Sequence, residues 1–102
     1  MHDTNKPFYN IDKLKLHFNK LEKLNMTYSA VHGQLELGFS KQDVVDAIQS
    51  LKQSDFSKSM LPVHLDFNEW QDVYKSTYKN RDLYIKFQVN KNGEMIVSFK
   101  AR

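Results

Sequence analysis

The stretch Leu83-Tyr84-Ile85-Lys86-Phe87-Gln88-Val89-Asn90-Lys91-Asn92-Gly93-Glu94-Met95-Ile96-Val97-Ser98-Phe99-Lys100 decides the fold. Leu83, Ile85, Phe87 and Val89 alternate with polar residues, and Met95, Val97 and Phe99 do so again, a period of two that predicts a pair of half-buried strands. Lys91-Asn92-Gly93 joins them into a hairpin, and the loop length sets its register. A two-residue type I′ turn at Asn92-Gly93 would put Phe87 opposite Ser98 and split the apolar residues between the two faces. A three-residue loop with Gly93 left-handed in a bulge instead pairs Ile85 with Phe99, Phe87 with Val97 and Val89 with Met95. One face is then wholly apolar. On the other, Tyr84 faces Lys100 and Lys86 faces Ser98, with facing Cβ atoms about 5 Å apart. A phenol and an ammonium therefore converge on the exposed face.

Upstream of Ser54 the period is helical. Asn10 can cap a segment whose apolar residues Ile11, Leu14, Phe18 and Leu21 recur at three and four, an amphipathic helix of about four turns with Lys13, Lys20 and Lys23 outward. Ser29 to Leu37 predicts a shorter helix, interrupted by Gly33 and ended by a left-handed Gly38. Ser40, with Asp43 three residues on, reads as a capping box, and Phe39 can staple onto Val44. Val44, Ile48 and Leu51 then form the buried stripe of a third helix. After Ser54, alternation over Leu61, Val63, Leu65 and Phe67, with Pro62 between, predicts an edge-like strand. Residues 69 to 75 are a further strand candidate whose alternation leaves the direction of Gln71 open. The expected architecture is α+β: N-terminal helices packed on a C-terminal curved antiparallel β-sheet.

The chain of 102 residues suits one domain, 1–102, since two cores would each be too small to offset chain entropy. It has no cysteine, which removes disulfide scaffolds, thiol catalysis and cysteine-ligated zinc. Apolar runs reach only about three residues, as in Met95-Ile96-Val97, far below a membrane span, and the polar start MHDTNKPFYN predicts a soluble, unprocessed cytoplasmic protein.

Charge is unevenly spread. Residues 1 to 74 carry eight Lys or Arg against ten Asp or Glu, whereas residues 75 to 102 carry seven against two, a net of +5. Lys75, Lys79, Arg81, Lys86, Lys91, Lys100 and Arg102 make up that basic set, with Tyr74, Tyr78, Tyr84, Phe87 and Phe99 interleaved. Phosphate-neutralising cations beside stackable rings fit a nucleic-acid surface; a solvated basic sheet edge that deters aggregation fits as well. His2, His17, His32 and His64 show no metal-ligand spacing, and there is no glycine-rich phosphate loop or recognisable serine nucleophile. Chemistry must rest on Lys, Tyr, Gln and Arg, with no cofactor. Trp70 and Tyr74 read as core or interface residues.

The segments Ser54-Asp55-Phe56-Ser57-Lys58-Ser59-Met60, Trp70-Gln71-Asp72-Val73-Tyr74, Leu83-Tyr84-Ile85-Lys86 and Ile96-Val97-Ser98-Phe99-Lys100 resemble the MqsR toxins of bacterial toxin–antitoxin systems, in the family's order. The resemblance runs over nearly the whole chain and is most specific in its C-terminal half. The interval between Lys58 and Trp70 departs in length from the family pattern, so His64 is not carried over. The resemblance implies a RelE-like ribonuclease fold and a metal-independent mRNA interferase with a preference for GC-containing triplets. Family functional positions fall on Lys58, Gln71, Tyr84 and Lys100. The same resemblance implies an MqsA-like antitoxin, zinc-binding and with a helix-turn-helix, and operator DNA reached only through it. Lys75, Arg81, Lys86 and Arg102 are the expected RNA-binding cations.

Self-cleavage through the 2′-hydroxyl of RNA needs no metal, only orientation, a base, charge stabilisation and an acid. If Lys58 and Lys100 lie close together, their repulsion favours a neutral amine on one of them, able to act as base while the other binds phosphate. Tyr84 can position the phosphate or assist proton transfer, and Gln71 can hold a phosphate or a base edge. Two other readings remain open at this point: a non-catalytic RNA-binding module, and a protein-interaction adaptor, which leaves the +5 segment unexplained.

Overall fold

The computed structural model describes residues 3–4, 6–60, 70–89 and 92–102. Five strands pair antiparallel in chain order: β1 (Asp3–Thr4), β2 (Phe56–Met60), β3 (Gln71–Tyr78), β4 (Arg81–Val89) and β5 (Met95–Ala101). Helices α1 (Ile11–His17), α2 (Tyr28–Leu37) and α3 (Lys41–Gln49) lie between β1 and β2 in sequence. They cover one face of the sheet. Leu14, Phe18, Ala30, Leu37, Val44, Ala47 and Ile48 join Tyr74, Leu83, Ile85, Phe87, Val97 and Phe99 in one buried cluster. The α+β arrangement is thus the expected one, with a two-residue N-terminal strand added to it.

The terminal hairpin has the register derived from its loop. Ile85 pairs with Phe99, Phe87 with Val97 and Val89 with Met95, and Gly93 is left-handed at φ +79°. Tyr84 stands opposite Lys100, and Lys86 opposite Ser98. The β3–β4 connection is a two-residue turn in which Lys79 (φ 51°) and Asn80 (φ 62°) are both left-handed, the backbone a type I′ turn requires.

The helices follow their caps. Asn10 accepts from the Asp12 and Lys13 amides, Ser40 and Asp43 complete a capping box, and Gly38 ends α2 at φ 72°. The first helix is a correction: α1 spans two turns, not four, and Leu21 is 45% exposed in a separate 3₁₀ turn, Leu21–Lys23. Side chains take the carbonyls that a longer helix would use. Gln49 of α3 donates to the Lys15 and Phe18 carbonyls, and the Lys23 ammonium donates to Leu16 O and Asn19 Oδ1.

Strand β2 has no counterpart in the sequence reading, because Phe-Ser-Lys-Ser-Met carries little β-branched or alternating signal and its pairing slips at a bulge between Phe56 and Lys58. The strand expected over Leu61–Phe67 lies outside the described residues. The candidate over 69–75 is β3, displaced to Gln71–Tyr78. Within it Asp72 is fully buried, and its carboxylate accepts the Phe8 and Tyr9 amides at 3.0 and 2.8 Å, tying the segment before α1 to the sheet.

Candidate active site

The face of the sheet away from the helices is read rung by rung, because side chains on one face recur every second residue and neighbouring strands lie about 4.8 Å apart. One rung runs Lys75, Tyr84, Lys100 across β3, β4 and β5. The next runs Lys58, Val73, Lys86, Ser98 across β2 to β5. Lys58, Val73, Lys75, Tyr84, Lys86 and Lys100, together with Ser57 and Met60, line a cleft of about 470 Å³ in which, among the described residues, four side chains are lysines and none is acidic.

Tyr84 is surrounded by cations. The Lys75 and Lys100 ammonium nitrogens lie 5.5 and 5.9 Å from its ring centroid, and the Arg102 guanidinium carbon 5.9 Å. These distances allow cation–π attraction, worth about 0.5–1 kcal/mol at exposed sites. Arg102 is steadied by Ser76 O at 3.3 Å and by Asp82 at 3.5 Å, while Asp82 also accepts from the Thr77 hydroxyl. Lys75 and Arg102 also line a second cleft, with Ser50, Lys52, Asp55, Ser76 and Thr77.

Lys58, Lys75 and Lys100 are exposed; Lys86 is half-buried. Burial, then the charges of Lys100 and Lys58, holds the Lys86 ammonium below its ordinary value of 10.5. The depression therefore falls on a lysine that the sequence reading assigned to RNA binding.

Among the expected site residues, Lys58, Tyr84 and Lys100 share the cleft with Lys75 and Lys86, and Arg102 borders it. Gln71 is on the same face, one rung beyond Val73, yet it is 7% exposed and donates to Gln88 Oε1 at 2.6 Å instead of lining the cleft. Arg81 is opposite Tyr78 beside the turn, on the alternation of Leu83 and Ile85, away from Tyr84. Val73, Met60 and Ser57 line the cleft without having been singled out. Val73 is 3% exposed and forms the apolar floor between Lys58 and Lys86. Ser57 and Met60 reach the cleft only through the pairing of β2, whose sequence carries little strand signal.

Tyr74 is core: it is fully buried against Phe56 and Phe87, and burial, reinforced by Asp72, pushes its phenol up to about 12. Among the described residues, no three His, Cys, Asp or Glu side chains gather where they could hold a metal ion. No helix there is long and apolar enough to cross a membrane.

The family model described as motility quorum-sensing regulator, toxin of MqsA, matches residues 6–101. Among curated proteins the chain is similar to the mRNA interferase toxin MqsR of Escherichia coli (strain K12), with 35% identity over 80 residues, 78% of this chain and 80% of the relative.

Proposed function

The chain belongs to the MqsR toxin family, and on that premise we propose that it is a toxin endoribonuclease that cuts mRNA by attack of the substrate's own 2′-hydroxyl. The observation that carries the reading is the cleft itself: four lysines around a tyrosine, no acidic lining residue among the described residues, and Arg102 at the rim. Such a site attracts a phosphodiester and stabilises the extra negative charge of a phosphorane more than the charge of the starting ester.

Exposed Lys58, Lys75 and Lys100 hold the non-bridging oxygens. Tyr84 supplies a hydroxyl to the phosphate and a ring on which a base can stack. The proton of the 2′-hydroxyl goes to a lysine amine, and an ammonium returns one to the departing 5′-oxygen. Gln71, turned to Gln88, acts by supporting the floor of the site. Arg81, away from the cleft, and Arg102 add to the field that draws RNA in. No step requires a metal or cofactor.

The finer expectations travel with family membership. Cleavage falls at GC-containing triplets. A cognate MqsA-like antitoxin, zinc-binding and with a helix-turn-helix, silences the toxin and carries it to operator DNA. The site of action is the cytoplasm.

A defined RNA incubated with the protein in EDTA tests the reading. The expected result is fragments ending in a 2′,3′-cyclic phosphate and a 5′-hydroxyl, with cuts clustered at GC-containing triplets, and none where the attacking 2′-hydroxyl is replaced by hydrogen. Bound but intact RNA would turn the reading into a non-catalytic binding module. Cleavage that survives the 2′-deoxy substitution would remove the proposed nucleophile.

A further inference from the structure

We propose that Lys86 takes the proton from the attacking 2′-hydroxyl while the lysines around it hold the scissile phosphate. The inference rests on the ribonuclease reading and assigns the base within it. Lys86 occupies the middle of β4, a strand flanked on both sides, and it is the one half-buried lysine among three exposed ones in the cleft. Its cross-strand neighbours are Val73 and Ser98, neither of them acidic. Among the described residues, the charged and titratable groups lining the cleft around it are Lys58 from β2, Lys75 from β3, Tyr84 two residues back on its own strand, and Lys100 from β5. Arg102 stands beyond Tyr84, and Asp82 is engaged by Thr77 and Arg102.

This arrangement separates two tasks. An exposed lysine keeps its proton and suits a phosphate oxygen, whereas a lysine sunk between an apolar floor and like charges gives up its proton more readily. The direction of the Lys86 shift agrees, with burial as the largest cause and Lys100 and Lys58 adding to it. The phosphate's own negative charge, which favours the protonated form of Lys86, is met by Lys58, Lys75 and Lys100.

As the 2′-oxygen bonds to phosphorus, its proton passes to the Lys86 amine. The bond from phosphorus to the 5′-oxygen breaks, and that oxygen takes a proton from the Lys100 ammonium. The products are a 2′,3′-cyclic phosphate and a 5′-hydroxyl, and proton exchange with solvent restores both lysines.

The test compares wild type with Lys86→Arg, which keeps the positive charge but does not release its proton at accessible pH. Binding of a 2′-deoxy RNA should stay within about threefold of wild type, since charge is preserved. Single-turnover cleavage should fall about 100-fold, the lower end of a general base's contribution, and lose the limb on which the wild-type rate climbs with pH. A second measurement needs no RNA: with lysines ¹³C-methylated, the Lys86 signal should titrate below the ordinary lysine value of 10.5. In Lys58→Gln it should move upward, because a like charge has been removed. A wild-type rate and pH profile in Lys86→Arg, or a Lys86 signal that titrates at the ordinary lysine value, overturns the assignment and leaves the ribonuclease reading standing. RNA left intact by wild type overturns both.

Discussion

Tyr84 shows how one side chain divides binding from chemistry. Its ring is approached by Lys75, Lys100 and Arg102, and its hydroxyl is a separate functional group on the same cleft. Tyr84→Phe keeps the ring and should hold 2′-deoxy RNA nearly as wild type does, while cleavage falls about 100-fold because the phosphorane loses a hydroxyl donor as its charge develops. Tyr84→Ala also loses the stacking surface and should weaken binding about tenfold, within the range for one base on an aromatic ring. Equal effects of the two variants on affinity would deny the ring a part in binding. Circular dichroism melts should match wild type for Tyr84→Phe, because the hydroxyl is not part of the buried cluster.

At the scale of elements, the contact between α2 and β5 is the tightest constraint. A Cβ built on Gly33 would lie 2.8 Å from the backbone oxygen of Phe99, and a strand backbone cannot swing aside as a side chain can. In an isolated helix, Gly→Ala would stabilise by about 1 kcal/mol. Here the clash dominates, and Gly33→Ala should destabilise by about 1–2 kcal/mol, the range for overpacking a filled site. For a domain of this size that lowers Tm by about 4–16 °C; a rise in Tm would refute the close approach. Gly33 reads in the sequence as an interruption of the helix, whereas in the fold it is the position that lets the helix reach the sheet. The length of α1 shows the same separation. Asn10 announces its start locally, but its end depends on Gln49, which is 34 residues from Lys15 in sequence.

For the molecule as a whole, the ordered strands concentrate charge that the sequence spreads over 43 positions, from Lys58 to Lys100, onto a single cleft. RNA binding should accordingly weaken steeply with salt, with a slope in log K of about −0.7 for each phosphate neutralised. Lys75→Gln should reduce the slope by about 0.7. Lys13→Gln, on the outward side of α1, should leave it unchanged. Salt-insensitive binding, or equal effects of the two substitutions, would disperse the interface over the surface. The N-terminal segment is part of the same economy of form: Asp72 fastens residues 8 and 9 to β3 on the helix side, while its neighbours Gln71 and Val73 face the cleft side.

The sequence alone determined the register of the terminal hairpin, and hence the meeting of Tyr84 with Lys100. Alternation and loop length are local properties, and a register error of one residue would have exposed the whole apolar set. It also determined where α1 and α3 begin, since a cap is written within four residues of the first turn. Only the tertiary structure decided that Phe56–Met60 is a strand, that Lys58 stands across Val73 from Lys86, that Gln71 turns to Gln88, and which lysine is pressed toward its neutral form. Burial and charge–charge repulsion depend on distances in space, and those distances join residues that pairing across strands, not proximity along the chain, brings together.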